Sequence, residues 1–335
     1  MKRNLCKLIF CLAGFAGLTC AQPNPSTSNQ AASAPLQIVP VKGNIYLLAG
    51  AGGNIVMSVG PDGVLLVDSG LADQADRVIA AINAFTQEIN KRGMPVTAIA
   101  PPKPIRYIIN THFHADHTGG NEKIAAAGKT FTGGNVTGDL PTAGEGAAIV
   151  SHENVLARLS AKDAKIPAGA WPTETYYRNQ MKLSHFFNNE GVLLVHFPNA
   201  HTDGDSMVWF RESDVIATGD IFVTTSYPFI DIDHGGSVQG ELAGLNWILE
   251  SAIPEFRTEG GTMIVPGHGR ICDTADVAYY RDMVTIVRDR VQDGIKKGKT
   301  LDQIKASKPT ADWDPRYGNS DRFVEGVYKS LTQKK

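Results

Sequence analysis

Thr111-His112-Phe113-His114-Ala115-Asp116-His117 places three imidazoles and a carboxylate within six residues, directly after the apolar run Ile105–Ile109. That run is short, rich in isoleucine and bounded by Pro104 and Asn110, so it predicts a β-strand ending where the histidines begin. Core packing does not call for such a density of titratable groups, whereas imidazole and carboxylate are the donors that suit a borderline or hard divalent cation. A chain leaving a strand can splay alternate side chains. His112 and His114 can face one ion, and Asp116 and His117, after the chain turns, a second. Gly119-Gly120 then permits a sharp turn into the next segment.

Further along, three more segments carry the same donor types at predicted strand ends. They are Asn199-Ala200-His201-Thr202-Asp203-Gly204-Asp205, Ala217-Thr218-Gly219-Asp220 and Pro266-Gly267-His268-Gly269. Upstream, Val67-Asp68-Ser69-Gly70 ends another predicted strand in an acid. In this order and form the motifs, spanning roughly residues 37–270, resemble the metallo-β-lactamase-fold hydrolases, whose signature is a His-x-His-x-Asp-His run. The resemblance implies a four-layer αβ/βα sandwich, with two mixed sheets inside and helices outside. It also implies that His112, His114 and His201 hold one divalent ion, that Asp116, His117 and His268 hold another, and that Asp220 bridges the two. Asp68 would support the site without binding metal. Two such ions can share a water, lower its pKa toward neutrality and so present a hydroxide nucleophile, with Asp116 placed to orient water or pass on its proton. Ligands without thiolate suit zinc best, and iron or manganese are the alternatives.

The true β-lactamases of that family generally carry Cys or Ser where Thr218-Gly219-Asp220 supplies a carboxylate. This departure favours relatives that cleave an ester, lactone, thioester or amide-like bond of a small molecule. Turnover of β-lactam antibiotics is the first alternative. A mono-iron sulfur dioxygenase, using two histidines and the equivalent of Asp220, is an alternative of another class. The loop after Asp220 is rich in proline and aromatic residues, so Phe222, Tyr227, Phe229 and His234 are candidates for substrate contact.

Outside the motifs, turn-punctuated apolar runs predict strands at Gln37–Val41, Ile45–Leu48, Asn54–Val59, Val64–Val67, Gly191–Phe197, Ser206–Phe210, Val215–Ala217 and Met263–Val265. Helical periodicity predicts helices over Ala72–Asn90, Ala147–Ser160, Val238–Ile253, Thr274–Lys297 and Asp321–Leu331. Runs of strands separated by helices argue for two sheets face to face with helices outside. His185 and His196 sit in apolar runs and read as packing residues. His152 reads as a structural residue on a helix, and Cys272 as a small core residue.

The chain has 335 residues, 42% hydrophobic and 20% charged, enough to bury a sizeable core. A formal net charge of −2 supplies no basic field for nucleic acid. Residues 1–21 combine Lys2, Arg3 and Lys7 with a short apolar run from Leu8 to Leu18, as a secretory signal does, cut after Ala21. Lipid attachment at Cys20 is the alternative. The run is too short to span a membrane. Residues 22–36 read as a flexible linker and 37–335 as a catalytic domain with C-terminal helices. Removing the leader leaves 29 basic and 34 acidic residues and Cys272 as the remaining thiol, so an exported, periplasmic protein would have no internal disulfide. The partner expected is a small-molecule substrate. Nothing in the sequence reads on oligomeric state.

Overall fold

The computed structural model describes residues 35–92, 100–130, 146–254 and 260–333. The predicted leader and residues 22–34 of the predicted linker lie outside the described residues. The first sheet opens as an antiparallel meander of β1 (Gln37–Lys42), β2 (Ile45–Ala49), β3 (Ile55–Gly60) and β4 (Gly63–Val67). Helix α1 (Ala75–Lys91) leads across to β5 (Ile105–Ile109), parallel to β4. The short helices α2 (Ala115–Thr118) and α3 (Asn121–Ala127) follow. Strands β6 (Ala148–His152) and β7 (Glu174–Tyr176) complete a seven-stranded sheet in sequential order, with α4 (Glu153–Leu159) between them.

The second sheet has five strands: β8 (Gln180–Lys182), β9 (Val192–Phe197), β10 (Asp205–Phe210), β11 (Val215–Ala217) and β12 (Met263–Val265). β8 to β11 pair antiparallel, and β12 joins β11 in parallel after the crossover through α5 (Val238–Ser251). The chain closes with α6 (Thr274–Lys296), α7 (Leu301–Ala306), α8 (Asp314–Tyr317) and α9 (Asp321–Thr332). No described helix is long and apolar enough to cross a membrane.

Strand periodicity sorts side chains into layers. In β4, Leu65 and Val67 face the interior between the sheets, while Val64 and Leu66 face α1 and α3. Tyr107 and Ile109 of β5 face inward with them, and Ile105 and Ile108 outward. Both faces of these strands are covered, which is why Gly63–Val67 and Ile105–Ile109 read as near-continuous apolar runs instead of alternating ones. On the far side, Met207, Ile216 and Ile264 pack against Leu245 and Ile248 of α5, Val284 of α6 and Val327 of α9. The result is the expected helix, sheet, sheet, helix order.

One expected helix is corrected. Ala147–Ser160 divides into β6 and α4, because Ala148–Val150 is buried on both faces beside β5, so burial instead of helical periodicity sets its apolar pattern. The break falls at His152, whose extended backbone and Nδ1, accepting from Asn154 N at 3.3 Å, cap α4. β7 and β8, three residues each and mostly polar, carried no strand signal.

Glu241 in α5 is fully buried, and neither carboxyl oxygen meets a hydrogen-bonding partner among the described residues. Burial, reinforced by Asp205 and Asp220, pushes its pKa well above the ordinary 4.5. The folded chain therefore retains a proton that the unfolded chain releases, so this residue makes stability fall as pH rises above about 4.5. Glu241→Gln keeps the shape without titrating. Its stability relative to the parent, read from urea unfolding, should rise steadily between pH 5 and pH 8. A difference that does not change with pH would contradict a neutral, buried carboxyl.

Candidate metal centre

The strand ends assemble the site. β4 delivers Asp68, β5 delivers the His112–His117 run, the β9–β10 turn delivers His201, and the parallel ends of β11 and β12 deliver Asp220 and His268 side by side. Local conformations serve this convergence. Asp68 has a φ of 65°, unusual for a side-chain-bearing residue, and from that bend its Oδ1 accepts from Thr111 N at 2.8 Å. Two glycines make room: a Cβ on Gly53 would lie 2.5 Å from the His117 ring, and one on Gly267 would lie 2.0 Å from Asp220 Oδ1. Asn54 ties the His268 loop to the first sheet by donating to the carbonyls of Pro266 and Gly269. The segment around Asp205 is pinned in turn, since its carboxyl accepts from Thr202 N at 2.7 Å and Thr202 Oγ1 at 2.6 Å.

Seven side chains meet here. Donor atoms of His112, His114 and His201 lie within 4.8 Å of one another, and so do those of Asp116, His117 and His268. Asp220 stands between the groups, with Oδ1 3.2 Å from His117 Nε2 and 3.5 Å from His268 Nε2, and Oδ2 3.9 Å from His201 Nε2. Four of the five imidazoles have an outer partner that fixes the ring. His117 Nδ1 donates to Asp68 Oδ2 at 2.8 Å, His114 Nε2 to Asp231 Oδ2 at 2.9 Å, and His201 Nδ1 to the Phe229 carbonyl at 2.5 Å. His112 Nδ1 lies 3.0 Å from Thr111 Oγ1, whose hydroxyl donates to Asp68 Oδ2. The inward nitrogens are then His112 Nε2, His114 Nδ1, His117 Nε2 and His201 Nε2, which is how carboxylate and carbonyl partners orient metal-binding imidazoles. His112 Nε2 is buried with no hydrogen-bonding partner among the described residues. An inward-facing, unpartnered donor surrounded by imidazoles and carboxylates fits a divalent cation better than it fits a packed core.

The electrostatics divide the cluster. Burial, together with the neighbouring His117, pushes the His112 pKa well down, and burial takes that of His201 down to about 4, so both are neutral imidazoles. Burial acts the same way on His117 and His268, but carboxylates outweigh it. Asp220 and Asp68 hold His117 well above its ordinary value, and Asp116 and Asp220 raise His268 to about 9. Burial would raise Asp220, yet His117 and His268 keep it well below the usual carboxylate range.

The sequence profile of the metallo-β-lactamase superfamily matches residues 40–268. The chain belongs to that superfamily. Its members are generally hydrolytic and typically bind divalent metals. No curated protein sequence matches the chain significantly. Among solved structures it is similar to the DIM-1 metallo-β-lactamase, 16% identical over 75% of this chain and 98% of that one, with a TM-score of 0.51. It is also similar to the stereoselective inverting sec-alkylsulfatase Pisa1 from Pseudomonas sp., at 16% identity and a TM-score of 0.61. That match covers 89% of this chain, which spans only 50% of the alkylsulfatase. A metallo-β-lactamase from Pontibacter korlensis is 12% identical over 75% of this chain and 99% of its own, with a TM-score of 0.51. At these identities the likeness is one of fold.

As in any member of the superfamily, substrate choice depends on what surrounds the centre, and here the expectations divide. A cavity of about 790 Å3 opens beside His114 and is lined by Phe113 and His234, so His234 is where a substrate contact would be. Its Nδ1 is held by Asp231 Oδ2 at 2.8 Å, the same oxygen that orients His114. Phe222 and Tyr227 are corrected. Both are core residues, Phe222 against Tyr280 and Tyr227 against Phe323 with its hydroxyl on Asp314, because the loop folds its aromatics toward α6 and α9. Phe229 is half-buried beside His114 and His201, with the Arg322 guanidinium over its ring, and does not line that cavity. Its backbone carbonyl matters more than its ring. His196 packs as expected, stacked on His152 with ring centroids 3.5 Å apart, and burial lowers both. Cys272 is buried, as expected of a core residue. Sequence reading assigned no role to Thr111, Asp231 and Asn54, which belong to neither triad and act only through the residues they orient.

Proposed function

We propose that the chain is a dinuclear metal-dependent hydrolase, with zinc as its metal, that cleaves an ester, lactone, thioester or amide-like bond of a small molecule. The observation that carries this reading is the placement of Asp220 between two triads, four of whose five imidazoles are turned inward by outer partners. His112, His114 and His201 would hold one ion and Asp116, His117 and His268 the other, with Asp220 shared. When bound, divalent ions at such a centre supply Lewis acidity, making water acidic and polarising the electrophile. The residues then have distinct tasks. Asp231, Phe229 and Asp68 fix ring orientation. Asp116, with Oδ2 3.1 Å from His268 Nε2 and about a third of its side chain exposed, is the carboxylate in the site best placed to take a proton from water and return it to the leaving group. The cavity beside His114 receives the part of the substrate that does not react. Export to the periplasm accompanies this reading and rests on residues 1–21 alone.

Chelator-treated protein should be inactive toward a panel of a p-nitrophenyl ester, a lactone, a thioester, a phosphodiester and a cephalosporin. Adding zinc should restore turnover of a carboxylic ester, lactone or thioester, with activity saturating at two equivalents. Equal turnover with and without metal, or none across the panel after reconstitution, would overturn the proposal.

A further inference from the structure

The cavity beside His114 has a chemical character that narrows the substrate. Its walls are apolar, built from Leu71, Phe113, Leu159, Ile166 and Pro167 with several alanines between them. Its charged lining is acidic: Asp73, Glu122 and Asp163 all line it and all are exposed. Arg158 is the one Lys or Arg among the lining residues, and its guanidinium is already engaged. Nε donates to Asp203 Oδ1 at 3.3 Å and Nη2 to Asp203 Oδ2 at 2.5 Å, so that cation is matched by a carboxylate outside the cavity. His234 is likewise turned onto Asp231. Among the described residues the cavity therefore holds no uncommitted cation to receive an anionic group.

We infer that this site selects an uncharged substrate with an apolar aliphatic or aromatic acyl group, and discriminates against carboxylate-, sulfate- and phosphate-bearing ones. The inference rests on the hydrolase reading above and says which hydrolase it is. The volume suits such a group, since pockets of about 300–1,000 Å3 enclose small organic ligands. The discrimination follows from charge. Three carboxylates in the lining repel an anion through partly screened solvent, and taking that anion into an apolar cavity adds a desolvation cost with no hydrogen-bonding cation to offset it. A neutral chain incurs neither. The two effects together should separate matched substrates by at least about tenfold in kcat/KM.

A matched pair tests this. The zinc-loaded protein is assayed with p-nitrophenyl hexanoate and with the mono-p-nitrophenyl ester of adipic acid, which share leaving group and reacting carbonyl and differ by a terminal carboxylate. The expected result is a hexanoate preference of about tenfold or more, which narrows at least fivefold in the double variant Glu122→Lys, Asp163→Lys. Equal rates, an adipate preference, or a ratio untouched by the charge reversal would overturn the inference. Binding is measured separately on metal-free protein by calorimetry with 4-phenylbutanamide and 4-phenylbutyrate. Tighter binding of the amide supports the inference, and equal or tighter binding of the carboxylate overturns it. If neither ester is turned over while the amide binds more tightly, the hydrolase reading fails and the pocket's preference stands.

Discussion

Asp220→Ala is expected to reduce bound metal from two equivalents to one or fewer and to lower kcat/KM on the order of 10³-fold, a loss of about 4 kcal/mol in transition-state stabilisation. Among the described residues Asp220 is the one carboxylate that reaches both triads, lying 3.2 Å from His117, 3.5 Å from His268 and 3.9 Å from His201. Without it, His117 and His268 face each other, Nε2 to Nε2 at 3.3 Å, with Asp68 and Asp116 as their remaining negative partners. Gly267 makes room for the carboxylate, since a Cβ there would lie 2.0 Å from Asp220 Oδ1. Asp220→Asn keeps the shape and removes the charge, and it should lose metal to nearly the same extent. Metal content and kcat/KM measured on both variants, with circular dichroism to verify folding, check the expectation. Two tightly bound equivalents in Asp220→Ala would show that the carboxylate is not shared.

Asp68→Ala should weaken metal binding by about 10–100-fold and destabilise the chain by about 2–5 kcal/mol, although Asp68 touches no candidate metal position. Its two oxygens accept from Thr111 N, Thr111 Oγ1 and His117 Nδ1, each at 2.8 Å, in a site where it is 2% exposed. Alanine leaves a buried amide and a buried imidazole N–H without acceptors, and it inherits a φ of 65° that a Cβ disfavours. Asp68→Gly separates these effects. Glycine adopts that φ freely, so it should recover part of the stability and none of the metal affinity. Urea unfolding together with competitive chelator titration reads both quantities, and metal affinity restored by glycine would show that backbone strain, not the carboxylate, is what His117 depends on.

The two-layer arrangement was legible because strands buried on both faces leave unmistakable apolar runs, as at Gly63–Val67 and Ile105–Ile109. The clustering of donors was legible for a related reason: a strand end fixes where the chain emerges, and each candidate ligand lies in the segment that follows one. What sequence could not show is direction. Nothing in Thr111, Phe229 or Asp231 as residue types says that a hydroxyl, a backbone carbonyl and a carboxylate will choose which nitrogen of three histidines faces inward. Phe222 and Tyr227 were misplaced for the same reason, since a loop rich in aromatics can cover a pocket or fill a core and only the packing of α6 and α9 decides. Ala147–Ser160 was misread because a strand buried on both faces and a buried helix have the same composition, and the division at His152 rests on a single cap.

The central claim is that seven side chains form one centre for two ions, and elemental analysis of the chain purified without chelator tests it most directly. Two equivalents of zinc per chain, falling to one or fewer in Asp220→Ala, is the result this account requires. A single equivalent in the parent protein that survives Asp220→Ala unchanged would contradict it.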